Sequence, residues 1–382
     1  MIKVSVIVPI FGEAEHLGEC LQSLRCQTLK DMEIICVYCS SDHSRYYDIF
    51  EQYMNEDDRI SVIEIPEADG GKALNDGIES ALGEYVGFML PDDHAALDLY
   101  ENYYRAAEEN EAEFVRADFY RVRNEKSGDV LQTCCRLSEN PEDYNRVFAP
   151  AEDNHALYFL PEICSGIYRK DFLREFDVRF NERAGESVRN EAFFFQTSVF
   201  GKRAMLLDKA GYYRREGSAD GKIDDPQKVY AADIEYDFIR DVLMERPDVW
   251  KKVTHIYWKK RFVDSLAVLD TVAPEYKKEF CRNMSREFNA AQKAGMIRYE
   301  DYGEKYWPQM LMILRDPGTF AASAMGLVEI PKLQEDYVVD ITKLKRDSKR
   351  LQDVLNSNSY KLGFALTSVP RRAKEYLKKR LK

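Results

Sequence analysis

Two adjacent carboxylates at the end of an apolar run are the first residues whose types could do chemistry. Residues 85–90 form an apolar run of strand length, and Pro91 separates it from Asp92 and Asp93. In an open parallel sheet, ligands collect outside the carboxyl ends of the strands, and carboxylate oxygens placed there suit a hard divalent cation. We therefore predict a cation site at Asp92 and Asp93, with capping of a helix that begins near Ala95 as the alternative.

Two other features could bind an anionic group. Gly70, Gly71 and Lys72 precede a helical pattern and could present backbone N–H groups and one ammonium group to a diphosphate. The spacing is not that of a complete phosphate-binding loop, so a flexible connection is the alternative. His94 follows the acid pair and could contact a phosphate or a metal, or remain a solvated or capping residue.

The composition excludes several classes of protein. The chain has 382 residues, a formal net charge of −12 and 45% apolar residues. The acidic balance argues against nucleic-acid binding, and the apolar content argues against a disordered chain. No run approaches the ~18 apolar residues of a membrane-spanning helix. Among the eight cysteines, Cys36 and Cys39 have C-x-x-C spacing but lie within an apolar strand pattern, and the N-terminus shows no signal-peptide pattern, so we expect a cytoplasmic protein with reduced thiols.

Strand and helix patterns alternate through the first part of the chain. Apolar, β-branched runs at 3–10, 32–38, 59–65 and 85–90 are separated by amphipathic helical patterns. This alternation predicts an α/β fold with a mostly parallel, doubly wound sheet. Between 113 and 215 the pattern is mixed, with a hairpin turn at 124–129, which predicts a small antiparallel part.

The rest of the chain has helical spacing from Pro226 onward, with breaks at Pro247, Pro274, Gly295 and Pro317. We predict three parts: an enzyme-type domain at 1–218, a helical domain at 219–330, and a long helix with a basic tail at 331–382.

The last predicted part carries two features of its own. Apolar residues between 337 and 355 follow a heptad stripe, which is consistent with a coiled coil or with a helix packed on the body, and a homodimer is also expected. Residues 358–382 contain eight basic residues and one acidic residue. Such a tail is expected to contact an anionic membrane surface, with a solvated extension as the alternative.

Several stretches of the sequence together resemble one family. They are VSVIVPIFGEAEHLGECLQSLRCQTLKDMEIICV at 4–37, GKALNDGIESALGEYVGFM at 71–89, the acid pair that follows, IYRKDFL at 167–173 and YYRR at 212–215. They resemble the family 2 glycosyltransferases with the GT-A fold, particularly bacterial members that build surface polysaccharides.

The resemblance implies transfer of a sugar from a nucleotide-diphosphate sugar to a hydroxyl of a lipid-linked or polysaccharide glycan acceptor. It implies Mg²⁺ or Mn²⁺ as cofactor, held by Asp92 and Asp93, and a location at the inner face of the cell membrane. Glu191 or Glu186 would act as the catalytic base. The donor-binding residues that it implies are Pro9, Phe11, Glu13, Tyr38, Ser40, Asp42, Gly71, Lys72, Asn75, Asp92, Arg214 and Arg215.

Three motifs depart from the family pattern. Tyr38 and Cys39 stand where a strand usually ends in two aspartates, Leu90 replaces the first aspartate of the acidic motif, and Ala192 occupies the position of the usual base. These departures motivate an alternative function, in which a catalytically impaired relative acts as a binding or partner subunit.

Overall fold

The structure is a computed structural model that describes residues 1–11, 15–39, 43–66, 69–124, 130–183, 190–216 and 225–327. Its strands are β1 (Val4–Ile10), β2 (Met32–Cys39), β3 (Ile60–Ile65), β4 (Tyr85–Phe88), β5 (His94–Ala95), β6 (Phe114–Asn124), β7 (Val130–Cys135), β8 (Val147–Phe148), β9 (Gly166–Arg169) and β10 (Ala204–Arg215). Its α-helices are α1 (Leu17–Arg25), α2 (His43–Glu56), α3 (Gly70–Ser80), α4 (Leu99–Glu109), α5 (Lys170–Phe176), α6 (Glu191–Phe200), α7 (Pro226–Val229), α8 (Ala231–Met244), α9 (Pro247–Thr271), α10 (Pro274–Lys293), α11 (Tyr299–Arg315) and α12 (Pro317–Ala324).

The parallel part of the sheet has the strand order β3, β2, β1, β4. Every residue of β1 is buried, as expected for a strand covered on both faces. The close approach of α3 is visible at Gly77, where an added Cβ would lie 2.5 Å from Ile7. On the neighbouring β4, a Cβ at Gly87 would lie 2.9 Å from Tyr100 of α4. Because Gly87 pairs with Val6, which points away from Ile7, α3 and α4 cover opposite faces.

The remaining strands form the antiparallel part. Strand β9 runs antiparallel between β4 and β6, and β10 lies parallel to β6. Strands β5 and β8 pair antiparallel with β10, and β7 pairs antiparallel with β6. The predicted fold class, a mostly parallel doubly wound sheet with a small antiparallel part and a helical C-terminal region, is confirmed.

Strand β10 is long and irregular. It continues through Arg215, with an irregularity between Leu207 and Tyr212. Leu207 pairs with Ala117 and Tyr212 pairs with Phe119, so residues 208–211 stand opposite one residue of β6. This bulge extends the strand to the Tyr-Tyr-Arg-Arg sequence, which therefore belongs to the sheet.

The structure corrects several local predictions. Strand β4 ends at Phe88, and the two-residue strand β5 follows the acid pair. Helix α4 begins only at Leu99, with Asp98 at its N-cap. The alternative role of Asp92 and Asp93, capping a helix near Ala95, is therefore wrong.

The prolines predicted as breaks at 247, 274 and 317 do separate helices. They are the first residues of α9, α10 and α12, a position that suits proline.

The contacts divide the chain into two compact units, Met1–Ala273 and Pro274–Lys382. Helices α8 and α9 belong to the first unit, and α10, α11 and α12 belong to the second. The predicted division at 218 and 330 stays a prediction. The heptad stripe and the basic tail lie outside the described residues. Within the described part of the chain, no helix is long and apolar enough to cross a membrane.

We expect Gly71→Ala to destabilise the first unit, because a methyl group there would overlap the backbone carbonyl of Asn181. Overpacking of this kind costs about 1–3 kcal/mol in the free energy of unfolding. The matched control is Gly18→Ala in α1, where the nearest atom would be 3.6 Å away. Chemical denaturation of the intact chain would measure both variants. Equal midpoints for the two would contradict the close approach of α3 to Asn181.

Candidate functional site

The acid pair lies between β4 and β5, at the carboxyl end of β4. Asp93 is 2% exposed, and both of its carboxylate oxygens accept hydrogen bonds from β10. The Tyr212 hydroxyl donates to Oδ2, and the backbone N–H of Arg215 donates to Oδ1 at 2.8 Å. Burial raises the pKa of Asp93 to about 7, and these two hydrogen bonds lower it in part. Asp93 therefore fixes the turn after β4 to strand β10.

Asp92 is half-buried and differently placed. Its Oδ1 accepts a hydrogen bond from the backbone N–H of His16 at 3.2 Å, just before α1. The carbonyl oxygen of Asp92 accepts a bond from Nε of Arg215 at 3.2 Å. Within the described residues, no hydrogen bond to Oδ2 of Asp92 occurs. Asp92 is thus the member of the pair with an oxygen available to a ligand.

The two arginines of β10 form different ion pairs. Arg215 reaches Glu19 of α1, with Nη2 and Oε2 2.7 Å apart, so its guanidinium lies beside Asp92. Arg214 donates from Nη1 to Oε2 of the buried Glu162 at 2.6 Å. Burial is the largest single effect and lowers the pKa of Arg214, but Glu162 and other nearby groups together raise it by more, so the net change is upward. Arg215 therefore bonds directly to the acid pair, whereas the Arg214 guanidinium bonds to Glu162 and interacts with Asp93 through its charge.

The predicted diphosphate-binding loop is instead the first turn of α3. The Asp69 carboxylate caps this helix by accepting a bond from the Lys72 backbone N–H at 2.7 Å. The Lys72 ammonium pairs with Asp76 at 2.9 Å. The Asn75 amide holds the backbone of Phe180 through two bonds, at 2.9 and 3.1 Å. These contacts give Gly71, Lys72 and Asn75 structural partners, and their predicted role in donor binding stays a prediction.

The other predicted donor residues lie around the ends of β1 and β2. Pro9 is buried within β1, and Phe11 follows that strand half-buried. Tyr38 is 3% exposed, its ring packs 5.2 Å from that of Phe50, and its hydroxyl donates to Glu64 at 3.0 Å. Contact of a donor with the face of the Tyr38 ring would need this ring to leave its neighbours, and its predicted role in donor binding stays a prediction. The remaining predicted residues outside the described part of the chain are Glu13, Ser40, Asp42 and Glu186.

The candidate base Glu191 is the first residue of α6 and lines a cavity of about 170 Å³ between α6, α8 and α9. Tyr236 and Asp264 line the same cavity, and the Tyr236 hydroxyl donates to Asp264. Burial lowers the pKa of Lys260, and the carboxylates of Asp264 and Glu191 partly oppose this shift. Glu191 therefore lies close enough to a buried cation to interact with it.

The position of the usual base has a local explanation. Ala192 is fully buried, and its backbone N–H donates to Oε1 of Glu235 at 2.9 Å. Oε2 of Glu235 accepts a bond from the Asn181 side chain at 3.0 Å. A carboxylate from α8 thus caps the start of α6. No local sequence pattern predicts this contact, because the two residues are far apart in the chain.

A divalent cation at the acid pair would need several oxygen ligands. Among the described residues, no group of three or more His, Cys, Asp or Glu side chains could hold a metal ion. Asp93, predicted as a ligand, already accepts two protein hydrogen bonds. Within the acid pair, Asp92 offers an oxygen that accepts no bond from the described residues, and one carboxylate together with substrate phosphates and waters is an arrangement that Mg²⁺ accepts. The residues therefore fit a cation only if the substrate supplies other ligands.

Comparisons with known proteins agree with this fold. Residues 5–175 match the model of the family described as Glycosyl transferase family 2. The chain is 30% identical over 220 residues to the Bacillus subtilis protein named Uncharacterized glycosyltransferase EpsJ, covering 56% of this chain and 61% of that protein. It is 25% identical over 304 residues to Glycosyltransferase GlyG of Streptococcus pneumoniae, covering 76% of this chain and 98% of that protein.

A solved structure titled S. aureus TarS 1-349 in complex with UDP has the same fold. It matches with a TM-score of 0.57 at 17% identity, covering 88% of this chain and 92% of that chain. The sequence matches and this shared fold agree with the resemblance: residues 5–175 are similar to the family 2 glycosyltransferases, and the chain has the fold of the TarS structure.

We expect the raised pKa of Asp93 to make the first unit less stable as pH rises from about 4 to about 7. Within this range the folded protein holds a proton that the unfolded chain has lost, so the free energy of unfolding falls as pH rises. Below about pH 4 both states are protonated and the contribution of Asp93 to stability is fully present. Asp93→Asn removes this titration, so the variant should gain stability relative to the natural chain between pH 5 and pH 8. Thermal unfolding at both pH values would measure the difference. Asp92→Asn is the control and should lose stability with rising pH as the natural chain does. The same loss of stability in Asp93→Asn would contradict the prediction.

Proposed function

We propose that the protein is a hexosyltransferase-type glycosyltransferase. It would move a sugar from a nucleotide-diphosphate donor to a hydroxyl acceptor in cell-envelope or capsular polysaccharide synthesis. The observation that carries the proposal is the available carboxylate oxygen of Asp92 beside the Arg215 guanidinium, at the carboxyl end of a sheet strand in a region similar to the family 2 glycosyltransferases.

The donor class is supported by charge and by similarity. A departing diphosphate develops negative charge, which the nearby Arg215 would stabilise. The TarS structures titled with UDP and with UDP-GlcNAc support a nucleotide-diphosphate sugar as the ligand of this fold. The acceptor class rests on the resemblance to members that build surface polysaccharides, and the acceptor would be a lipid-linked or polysaccharide glycan.

The residues around the donor would have distinct roles. Mg²⁺ or Mn²⁺, when bound, would neutralise charge on the leaving diphosphate. Asp92 would hold that cation through its available oxygen. Asp93 would position Arg215 by holding its backbone N–H, and Glu19 would orient the guanidinium. Glu191 would take the proton of the acceptor hydroxyl, with Glu186 as the other candidate.

We expect Asp92→Asn and Asp93→Asn to separate in their response to Mn²⁺. Calorimetry of UDP and GDP with and without Mn²⁺ would show tighter nucleotide binding with the cation in the natural chain. Asp92→Asn should reduce that gain by about tenfold or more, or about 1.4 kcal/mol. Asp93→Asn should keep most of it, because the Asp93 oxygens already have protein partners.

The same titration tests the proposal as a whole. Binding of neither nucleotide, with or without Mn²⁺, would overturn the enzyme function and favour the alternative of an impaired binding or partner subunit. An equal response of the two variants would overturn the distinction between Asp92 and Asp93.

We expect Glu191→Gln to slow acceptor-dependent transfer by about 10²- to 10⁴-fold while UDP binding stays unchanged, because the variant cannot accept a proton. Asp264→Asn is the matched control from the same cavity and should keep its bond with Tyr236. Release of UDP from the donor in the presence of acceptor is the measurement. Unchanged turnover in Glu191→Gln would remove Glu191 from the mechanism.

A further inference from the structure

Three aromatic rings form a continuous stack beside the acid pair. His94 of β5 stacks on Tyr213 of β10, with ring centroids 4.7 Å apart and planes 1° apart. Tyr213 stacks in turn on Tyr120 of β6, at 5.1 Å and 18°. All three side chains are half-buried. They were not predicted as a group, because they come from three separate stretches of the chain.

The strand register explains the stack. Tyr213 pairs directly with His94 on one side and with Tyr120 on the other. Side chains of directly paired residues share one face of a sheet at about 4.5–5.5 Å, which matches the observed ring separations. The three rings therefore form one row across β5, β10 and β6.

The fourth position of this row holds a small residue. Tyr120 pairs with Cys134 of β7 on the side away from Tyr213. Cys134 is exposed, and its side chain is too short to cover a neighbouring phenol ring. The row thus ends in a ring face above Cys134. Gln132, two residues away on β7, is exposed on the same face and provides a polar group at its rim, whereas the guanidinium of Arg136, which follows β7, lies beside Asp118 and over the Tyr144 ring.

The position of the row links it to the acid pair. His94 follows Asp93 in the chain, and Tyr213 lies between Tyr212 and Arg214 on β10. The two ring separations place the centroid of Tyr120 about 10 Å from that of His94. This distance corresponds to roughly two sugar units, so the open ring face lies within reach of a glycan whose end is at the acid pair.

We propose that the open face of Tyr120 binds a pyranose ring of the acceptor glycan, one or more units away from the hydroxyl that reacts. An aromatic face carries negative charge density and packs well against the polarised C–H groups on one face of a pyranose. The Gln132 amide at the rim offers hydrogen-bond donors and an acceptor to sugar hydroxyls. This inference rests on the proposed function for its choice of a glycan as the ligand.

Saturation-transfer NMR on the full chain tests the proposal, with methyl β-D-glucopyranoside, methyl β-D-galactopyranoside and the methyl glycoside of N-acetylglucosamine as probes at millimolar concentration. At least one glycoside should receive saturation on the C–H groups of one ring face. Tyr120→Ala should reduce this signal about fivefold, in keeping with the strength of an aromatic contact. Tyr120→Phe is the matched control and should keep it, because the ring face remains.

A second variant tests the site without removing the ring. Cys134→Trp would place an indole where the sugar is proposed to lie, and should abolish the signal while thermal unfolding remains close to that of the natural chain. No saturation of any glycoside in the natural chain, or equal signals in Tyr120→Ala and Tyr120→Phe, would overturn the proposal. Loss of UDP binding in Tyr120→Ala, without loss of glycoside binding, would also overturn the proposal, because the ring face would then bind a nucleotide base.

The outcome is distinguishable from that of the proposed function. Glycoside binding that depends on Tyr120, in a chain that binds neither UDP nor GDP, would support the sugar site and remove the transferase. Nucleotide binding without any glycoside signal would support the transferase and remove the sugar site.

Discussion

The buried carboxylate of Asp93 holds the candidate site together. It connects a turn that follows β4 with a strand from much later in the chain, through the Tyr212 hydroxyl and the Arg215 backbone. The same hydroxyl accepts a bond from the Leu90 backbone N–H at 3.3 Å, so one tyrosine fixes both ends of the turn. The positions of neighbouring groups depend on these hydrogen bonds. Without them, Arg215 would have no fixed relation to Asp92.

The two acids of the motif therefore have different roles. Asp93 has its oxygens bonded within the protein, and its raised pKa reflects the cost of burying a charge there. Asp92 stays half-exposed at the edge. Leu90, where the family has a further acid, contributes a backbone N–H to Tyr212. The shortened acidic motif is thus compatible with a fixed turn, and whatever affinity it has for a cation depends on the ligand's own oxygens.

Much of the fold could be predicted from the sequence, because period-2 and period-3.6 patterns report directly on which faces are buried. The alternation of strands and helices in the first ninety residues is of this kind. The length of β10 could not be predicted, since its middle residues 208–211 form a bulge with no strand pattern.

The site was predictable only where a local pattern carried the information. The Asp-Asp pair at a strand end was found in this way, and Arg215 was found through the family resemblance. The cap that Glu235 provides to Ala192, the pairing of Arg214 with Glu162 and the aromatic row depend on contacts between distant stretches. Periodicity carries no information about such contacts.

The bulge in β10 also determines which side of the sheet each residue of the Tyr-Tyr-Arg-Arg sequence faces. Successive residues of a strand point to opposite faces, so an insertion or deletion of one residue within 208–211 that is carried into the strand would shift each later side chain by one position. An insertion would bring Gly211 to the place of Tyr212 beside Asp93, and a deletion would bring Arg214 to the place of Tyr213 in the aromatic row. The number of residues in this segment is therefore under stronger constraint than their identity, apart from Gly211, whose added Cβ would lie 2.8 Å from Leu99.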